Sequence, residues 1–566
     1  EKTKMNKNIF TNDKFVGYVS KVTPNYSNIH FPTPKLLKKF WHYEDELSGG
    51  IVGNYVVIEG ENYGFLGKLQ EVSLPEKEQN FLGEHTFYDS NFHPQGKIEL
   101  LLSFNYYSTK IDKGLDKYPA VGSKVYLCSA NLIKTLFVSG ESSTTIFDIA
   151  KLPNNLETNL PLNPNQLFGR HCAIVGTTGG GKSYTISRIL EEFLRINKSK
   201  AILIDATGEY ENFYNLENVK TVKFGENDED SFFHYSRLRT MDLVTLFRPS
   251  ENTQKPKLIS AIESLRVVNY YNNSNEPKIN IFQKANKAKN IYNSWYTVAR
   301  AQNNFDNSYF NIQHLNHQIN EECIKLSQGD NQALYGDYNN QEKGYITSLL
   351  TRIEVLRNNS FFNNVFGFNK QLSDNNEFNQ ELENFLDETQ TTKTLFIISL
   401  KDASFEKGLR EILTNAIGSY LLEKARQYKF KEKPIVLFVD EAHQFLKKTI
   451  SDDSFEDLEL DAFDKIAKEC RKHGLFLCIS TQTPRDIPVG TLSQMGTFIV
   501  HRLINEADRA VIEKACSEGN KNSLAYLPSL QSGEALLISI EMPMPIIIKI
   551  KEPFIKPTSL TPTLFI

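Results

Sequence analysis

The residues with the clearest chemical potential form a glycine-rich run, GTTGGGKS, at positions 176–183. An apolar stretch, Cys172–Val175, precedes it, and a helical pattern from Tyr184 to Leu194 follows it. The run satisfies GxxxxGK[ST] in full. Its glycines would let the backbone curl with N–H groups facing a phosphate, and a helix N-terminus adds partial positive charge. The pattern therefore predicts a phosphate-binding loop; the alternative is a glycine-rich strand-to-helix turn with a chance Lys-Ser pair.

Two side chains of this loop have separate predicted tasks. Lys182 would bring a compact positive charge to the β- and γ-phosphates of ATP, and the Ser183 hydroxyl would coordinate Mg²⁺. ATP and Mg²⁺ are therefore the predicted cofactors. The residues predicted to contact the nucleotide are Gly176, Thr177, Thr178, Gly179, Gly180, Gly181, Lys182, Ser183 and Tyr184.

An acidic pair, Asp440-Glu441, follows the apolar run Ile435–Val439. In an open α/β sheet, ligands bind beyond the carboxyl ends of the strands, so we expect this pair and the glycine-rich loop at one edge. Asp440 would hold Mg²⁺, and Glu441 would orient and deprotonate the attacking water. The alternative is a helix N-cap followed by a first-turn acid.

Two further strand ends carry polar candidates. Asp205 and Glu209 follow the predicted strand Ala201–Ile204, where they would either assist the metal and water or cap a turn. Gln482 follows the predicted strand Leu475–Ser480. Its amide would bond the γ-phosphate or the attacking water; otherwise it belongs to a plain strand-end turn.

Bulk properties limit the class of protein. At 566 residues the chain is too long for a single core, so two or three domains are expected. A formal net charge of −4 disfavours a chain that coats DNA with its whole surface. The six cysteines form no C-x-x-C pair, which argues against a zinc cage or a disulfide framework. Without a long apolar run or a signal-peptide pattern, a cytoplasmic protein with no membrane segment is expected.

The elements that would position these residues predict an α/β protein with three parts. Residues 1–150 contain short strands separated by turn residues, which predicts a small β-barrel. After a polar linker around Leu152–Asn165, apolar strands alternate with helices, as in a mostly parallel sheet. Helical spacing in residues 225–390 predicts a helical-bundle insertion. The core would then comprise residues 151–224 and 391–566. Its predicted strands are Cys172–Val175, Ala201–Ile204, Thr394–Ser399, Ile435–Val439, Leu475–Ser480, Phe498–His501 and Ala535–Ile538.

Several of these motifs together resemble, in the same order, the HerA branch of the HerA/FtsK ATPases. The residues that carry the resemblance are Arg170-His171, Gly176–Ser183, Asp205 with Gly208-Glu209-Tyr210, Asp440-Glu441-Ala442-His443, Cys470–Gly474, Ser480–Pro484, and Phe498–Arg502 with Asn505 and Asp508. The N-terminal strands are similar to the small β-barrel of that family. One departure is Ala206-Thr207, which stands where the family usually has Pro-His.

The resemblance implies a RecA-like P-loop core and a homohexameric ring that translocates double-stranded DNA through its pore. ATP would bind between subunits, and Arg170 or Arg471, with Arg502 third, would act in trans on its phosphates; otherwise these are surface or ion-pair residues. HerA-like proteins of prokaryotic antiviral defence pair with nucleases or sirtuin-like NADases, so an effector partner of that kind is expected. The alternative is a nucleotide-gated scaffold that activates a partner enzyme without translocating DNA.

Four histidines, His171, His443, His473 and His501, are expected near the nucleotide edge. None shows metal-ligand spacing with another His or Cys. They are predicted to be packing or supporting groups rather than ligands.

Overall fold

The structure, a computed structural model, describes most of the chain and divides it into two compact units. The described residues are 9–37, 39–42, 45–48, 50–79, 92–107, 114–138, 145–153, 155–302, 305–403, 408–446, 449–452, 455–516 and 521–558. The first unit comprises Glu1–Ile196, Gln482–Arg485 and Ser493–Ile555. The second comprises Asn197–Thr481, Asp486–Leu492 and Lys556–Ile566.

The elements are numbered along the chain. The strands are β1 (Phe15–Val22), β2 (Tyr26–His30), β3 (Lys39–His42), β4 (Asp45–Ser48), β5 (Tyr55–Glu59), β6 (Tyr63–Ser73), β7 (Gln95–Asn105), β8 (Lys124–Leu127), β9 (Phe147–Leu152), β10 (Asn155–Leu162), β11 (Cys172–Val175), β12 (Lys200–Asp205), β13 (Val219–Lys223), β14 (Leu395–Ser399), β15 (Ile435–Val439), β16 (Thr449–Asp452), β17 (Phe455–Glu459), β18 (Leu475–Thr481), β19 (Thr497–His501), β20 (Glu534–Ser539) and β21 (Ile546–Ile550). The helices are α1 (Glu76–Gln79), α2 (Ala130–Val138), α3 (Pro164–Phe168), α4 (Lys182–Ile196), α5 (Thr240–Phe247), α6 (Gln254–Ser274), α7 (Lys289–Arg300), α8 (Leu315–Glu321), α9 (Asn340–Asn358), α10 (Ser360–Phe366), α11 (Phe378–Leu386), α12 (Leu409–Arg426), α13 (Ala462–Glu469), α14 (Val489–Leu492), α15 (Glu506–Ala515) and α16 (Lys521–Leu524).

A closed barrel of six antiparallel strands, in the order β1-β2-β7-β6-β5-β8, forms the N-terminal part of the first unit. Val16, Ile29, Ile58 and Ile98 are fully buried in its core. Their burial follows from strand geometry, because alternate side chains point to the barrel interior. The small barrel predicted from the sequence is confirmed.

The first unit also contains a run of strands in the order β10-β9-β21-β20-β19-β11. Here β11 and β19 pair in parallel, whereas the remaining neighbours in this order pair antiparallel. The predicted linker around Leu152–Asn165 is wrong for most of its length, since β10 occupies Asn155–Leu162. Leu160 and Leu162 are buried, but three polar residues (157–159) and Pro161 interrupt the apolar pattern. This edge strand therefore has the composition of a linker.

The second unit contains five parallel strands in the order β18-β15-β12-β14-β13. All residues of β14 and β15 are buried, which matches the continuous apolar runs of strands covered on both faces. β13 was not predicted because Lys220, Thr221 and Lys223 interrupt its apolar pattern. It lies at the end of this order, where one side of a strand has no partner.

Helices α5 to α11 occupy the predicted insertion of the second unit. Apolar residues at helical spacing in the sequence anchor α6 and α9, and these are buried: Leu258, Ile262, Leu265, Ile346, Leu349, Ile353 and Leu356. Leu350, which shares this spacing, is half-buried. All six cysteines are free thiols. Among the described residues, no helix is both long and apolar enough to cross a bilayer.

A buried ion pair holds the insertion together. Lys284 and Glu322 are 5% and 6% exposed, and Nζ lies 2.7 Å from Oε2. The other carboxylate oxygen, Oε1, accepts hydrogen bonds from Ser264 Oγ at 2.7 Å and Gln318 Nε2 at 2.9 Å. Every charge in this network therefore has a partner, which is the condition under which a buried pair is tolerated.

Replacing Lys284 with methionine would leave the Glu322 carboxylate buried without its cation. We expect the free energy of unfolding of the insertion to fall by about 3–5 kcal/mol. Urea unfolding followed by the fluorescence of Trp295, whose ring stacks on Tyr271 at 3.8 Å, measures this in a Trp41→Phe background. The exposed Lys287→Met variant is the control; equal midpoints for both variants would contradict the prediction.

Candidate active site

The glycine-rich loop lies between β11 and α4 of the first unit. Gly179 and Gly181 have φ angles of 73° and 115°, a region that side chains with a Cβ rarely adopt. Lys182 opens α4, is 6% exposed, and its Nζ donates to the Thr177 carbonyl at 3.5 Å. The first N–H groups of α4 have no acceptor within the helix, so the loop fits a bound anion.

Neighbouring segments of the first unit support this loop. Thr177 donates through its N–H and its hydroxyl to the Arg502 carbonyl, at 3.1 Å and 3.2 Å. Gly533 N–H donates to the Gly180 carbonyl at 3.3 Å. The Thr178 hydroxyl donates to Gln482 Oε1 at 2.5 Å. Gln482 therefore lies against the loop, while its action on a nucleotide stays a prediction.

Asp205, at the end of β12 in the second unit, caps the turn that follows. Its Oδ1 accepts from the N–H groups of Gly208 at 2.8 Å and Glu209 at 3.2 Å. Its Oδ2 accepts from Tyr210 N–H at 3.1 Å and the Tyr214 hydroxyl at 2.8 Å. The sequence left Asp205 either to assist the metal and water or to cap the turn. These hydrogen bonds are those of a residue that caps the turn. Burial, the largest influence, raises its pKa, and the hydrogen bonds from Tyr214, Tyr210 and Gly208 act against that rise.

The acidic pair follows β15, also in the second unit. Asp440 and Glu441 are 2% and 6% exposed. Burial, followed by the negative charges of Glu441 and Glu209, raises the pKa of Asp440 from 3.8 to about 8, while a hydrogen bond from Ser480 acts in the opposite direction. Buried carboxylates that lie close together are suited to bind a cation. A bound cation would stabilise their negative charges and so lower the raised pKa of Asp440.

Glu441 has a strained backbone. Its φ and ψ of 46° and 45° lie in the left-handed region, which non-glycine residues rarely occupy outside special turns. Such strain concentrates at functional sites. Oε2 of Glu441 lies 3.2 Å from Nδ1 of His443, which also lies 3.4 Å from the Thr481 hydroxyl.

The raised pKa of Asp440 predicts a pH-dependent stability. Without Mg²⁺ and nucleotide, the folded protein keeps this proton at pH values where the unfolded chain has lost it. Stability therefore falls as pH rises from about 4 to about 8. Asp440→Asn removes the titrating group, so we expect its unfolding free energy to decline less than that of the wild type between pH 5.5 and 8.5. Chemical unfolding in EDTA at several pH values measures the difference. If the unfolding free energies of the variant and the wild type decline equally with pH, the prediction is contradicted.

The three candidate trans-acting arginines lie at different places. Arg170 in the first unit is 40% exposed and its Nε is 2.9 Å from Glu541 Oε1. Arg471 is exposed in a short 3-10 segment, Cys470–His473, of the second unit. Arg502 is exposed, and its carbonyl supports the loop. Their action on a neighbouring subunit stays a prediction.

Two neighbours of the candidate residues were not assigned a definite functional role from the sequence. Glu209, left open as a metal or water ligand, contributes to the raised pKa of Asp440. His501, predicted to be a packing or supporting group, is fully buried against the glycine-rich loop. Both lie at or just beyond the ends of predicted strands, but their contacts join residues far apart in the chain, for which a single sequence carries no signal.

A glycine loop ending in Lys-Ser between a strand and a helix, with a buried acidic pair after a parallel strand, defines a P-loop nucleoside triphosphatase. Two family models match this chain: "Helicase HerA, central domain" over residues 147–424 and "Helicase HerA-like C-terminal" over residues 419–562. The chain belongs to the HerA family and is an ATPase. The resemblance to HerA found in the motifs is thereby confirmed.

Curated relatives cover most of the chain. The DNA double-strand break repair helicase HerA of Sulfolobus acidocaldarius is 26% identical over 514 residues, which are 88% of each protein. The probable DNA double-strand break repair helicase HerA of Methanocaldococcus jannaschii is 23% identical over 445 residues, 76% of this chain and 80% of the relative. Among solved structures, VirB4 of Thermoanaerobacter pseudethanolicus gives a TM-score of 0.49 at 15% identity, covering 73% of this chain and 97% of that one.

Proposed function

We propose that this ATPase is a motor that binds and translocates double-stranded DNA as a homohexameric ring. We further propose that it serves an effector partner, a nuclease or a sirtuin-like NADase, in prokaryotic antiviral defence. The observation that carries the proposal is the combination of the glycine loop with the buried pair Asp440 and Glu441 in a HerA-family chain. Relatives named as DNA repair helicases, which match up to 88% of this chain, support DNA as the substrate.

The proposed chemistry assigns one task to each group. Residues 176–184 bind the phosphates of ATP, and Lys182 balances their charge. Ser183 and Asp440 would hold Mg²⁺, which when bound supplies positive charge at the phosphates. Glu441 accepts a proton from the attacking water, and Gln482 orients that water. Arg170 or Arg471 of a neighbouring subunit would stabilise the transferred phosphoryl group.

We propose that the chain is divided into three domains. Residues 1–150 form the barrel domain, residues 151–224 and 391–566 form the ATPase core, and residues 225–390 form the helical insertion. The insertion carries α5 to α11 and its own buried ion pair. A deletion that removes it as a unit is therefore a rational test of its contribution to DNA stimulation.

The test of the motor is the rate of ATP hydrolysis with and without duplex DNA, together with DNA binding at increasing salt. A motor predicts stimulation by DNA and affinity that falls steeply with salt as phosphate contacts are screened. Solution mass with and without ATP tests the ring. Hydrolysis that responds to the effector but not to DNA would instead identify a nucleotide-gated scaffold.

A further inference from the structure

We propose that His501 is a positioning residue for the ATPase reaction: its buried ring holds the glycine-rich loop in its phosphate-binding shape. The inference rests on the proposed role of residues 176–183 in binding phosphates. It adds a residue outside that motif, on β19, to the machinery that sets the affinity for ATP.

The position of His501 follows from strand register. β11 and β19 run parallel with Val175 beside Val500, so the next residues, Gly176 and His501, lie side by side where the loop begins. A Cβ built on Gly176 would lie 2.6 Å from Cβ of His501, closer than real Cβ contacts. Substitution of Gly176 would therefore force the loop away from the histidine.

Two more glycines of the loop border the same side chain. A Cβ on Gly181 would lie 3.1 Å from His501 Cε1, and one on Gly180 would lie 3.4 Å from His501 Cβ. The absence of side chains at these three glycines therefore makes room for the His501 side chain. The ring is 0% exposed, so it belongs to the internal support of the loop rather than to its solvent face.

Both ring nitrogens have partners. Nδ1 lies 2.9 Å from the Glu534 carbonyl, and Nε2 lies 2.8 Å from the Thr185 hydroxyl. A carbonyl only accepts, so Nδ1 carries the proton, and Nε2 of the neutral ring accepts from the Thr185 hydroxyl. The Gly181 carbonyl, 2.9 Å from the same hydroxyl, competes for that proton. His501 therefore joins the first turn of α4 to β20, on the two sides of the loop.

The neutral state of the ring is secured by its surroundings. Burial, followed by the positive charge of Lys182, lowers the pKa of His501 to about 4, while the Glu534 carbonyl acts in the opposite direction. A neutral ring beside Lys182 adds no repulsion to the lysine that would face the phosphates. The side chain thus provides shape and hydrogen bonds without changing the charge of the loop.

The functional consequence is preorganisation. A loop that already has its bound shape loses less conformational entropy when phosphates bind. Removing the ring should therefore weaken ATP binding while the protein remains folded.

The experiment compares His501→Ala and His501→Asn with the wild type in the full-length protein. Asparagine keeps an N–H donor near Nδ1 and part of the volume. We expect His501→Ala to raise KM and the equilibrium Kd for ATP about 10-fold to 100-fold, which corresponds to about 1.4–2.8 kcal/mol. His501→Asn should recover a large part of that loss, and kcat at saturating ATP should change less than KM.

The matched control is His234→Ala. His234 is also 0% exposed, its pKa is also lowered to about 4 by burial, and its Nδ1 bonds Ser236 Oγ at 2.8 Å. It lies in the second unit, outside the proposed machinery. We expect its replacement to lower Tm while leaving KM for ATP within about twofold of the wild-type value.

Each outcome supports or overturns the inference. If the His501 variants lower Tm as His234→Ala does and leave KM unchanged, the histidine is only structural and the inference is overturned. If His501→Ala does not fold, the same criterion applies to Kd measured on His501→Asn and on Thr185→Val, which lacks the hydroxyl bonded to Nε2. A wild type that binds no ATP would instead refute the proposed role of the loop.

Discussion

Replacing Glu441 with glutamine should abolish ATP hydrolysis while leaving ATP binding intact. Glutamine has nearly the same size and keeps an oxygen acceptor, but it cannot accept the proton of the attacking water. General bases contribute about 10²–10⁴ in rate, so we expect kcat to fall by about 1,000-fold. The strained backbone and burial of Glu441 indicate that the surrounding structure holds this one residue in place.

Single-turnover hydrolysis and equilibrium binding of a fluorescent ATP analogue measure the two effects separately. Glu469→Gln is the matched control, because Glu469 forms an exposed pair with Arg426 at 2.8 Å, and such pairs contribute little. Normal turnover by Glu441→Gln would remove this residue from its proposed role.

Replacing Lys182 with alanine should have the opposite signature, a loss of ATP binding itself. Lys182 is 6% exposed at the start of α4, next to the loop. Its removal leaves the phosphates without their nearest proposed counter-charge. We expect Kd for ATP to rise about 100-fold, which corresponds to about 2.8 kcal/mol.

Calorimetric titration with ATP measures this change, and Tm shows whether the variant remains folded. Lys198→Ala, which removes an exposed lysine just beyond α4, is the control and should bind ATP like the wild type. An unchanged Kd in Lys182→Ala would refute the proposed contact between this lysine and the phosphates.

Local patterns explain what was predictable. The glycine-rich loop at 176–183, the apolar run of β15 and the helical spacing within residues 225–390 are all contiguous signals. The strand β15 has the predicted bounds, and helices occupy the predicted insertion. β10 and β13 were missed because an edge strand with one polar face has no continuous apolar run. Strand pairing, which a single sequence does not record, distinguishes such a strand from a linker.

Asp205 is an example of a residue whose role could not be predicted from its type and position in the sequence alone. A carboxylate after a strand is equally suited to bind a metal or to cap a turn, so the sequence left both open. Four donors, from Gly208, Glu209, Tyr210 and the Tyr214 hydroxyl, occupy it in the fold. Hydrogen-bond geometry rather than composition separates the alternatives.

By itself, the sequence determined the class of chemistry: glycines, Lys182 and Ser183 in one contiguous motif, and an acidic pair directly after an apolar strand. These signals are local, because backbone curling and charge placement depend on neighbouring residues. Only the tertiary structure decided that His501, 316 residues from its partner Thr185, supports the glycine loop, and that burial and neighbouring carboxylates raise the pKa of Asp440. Both depend on distances and solvent exclusion that arise when remote strands pair.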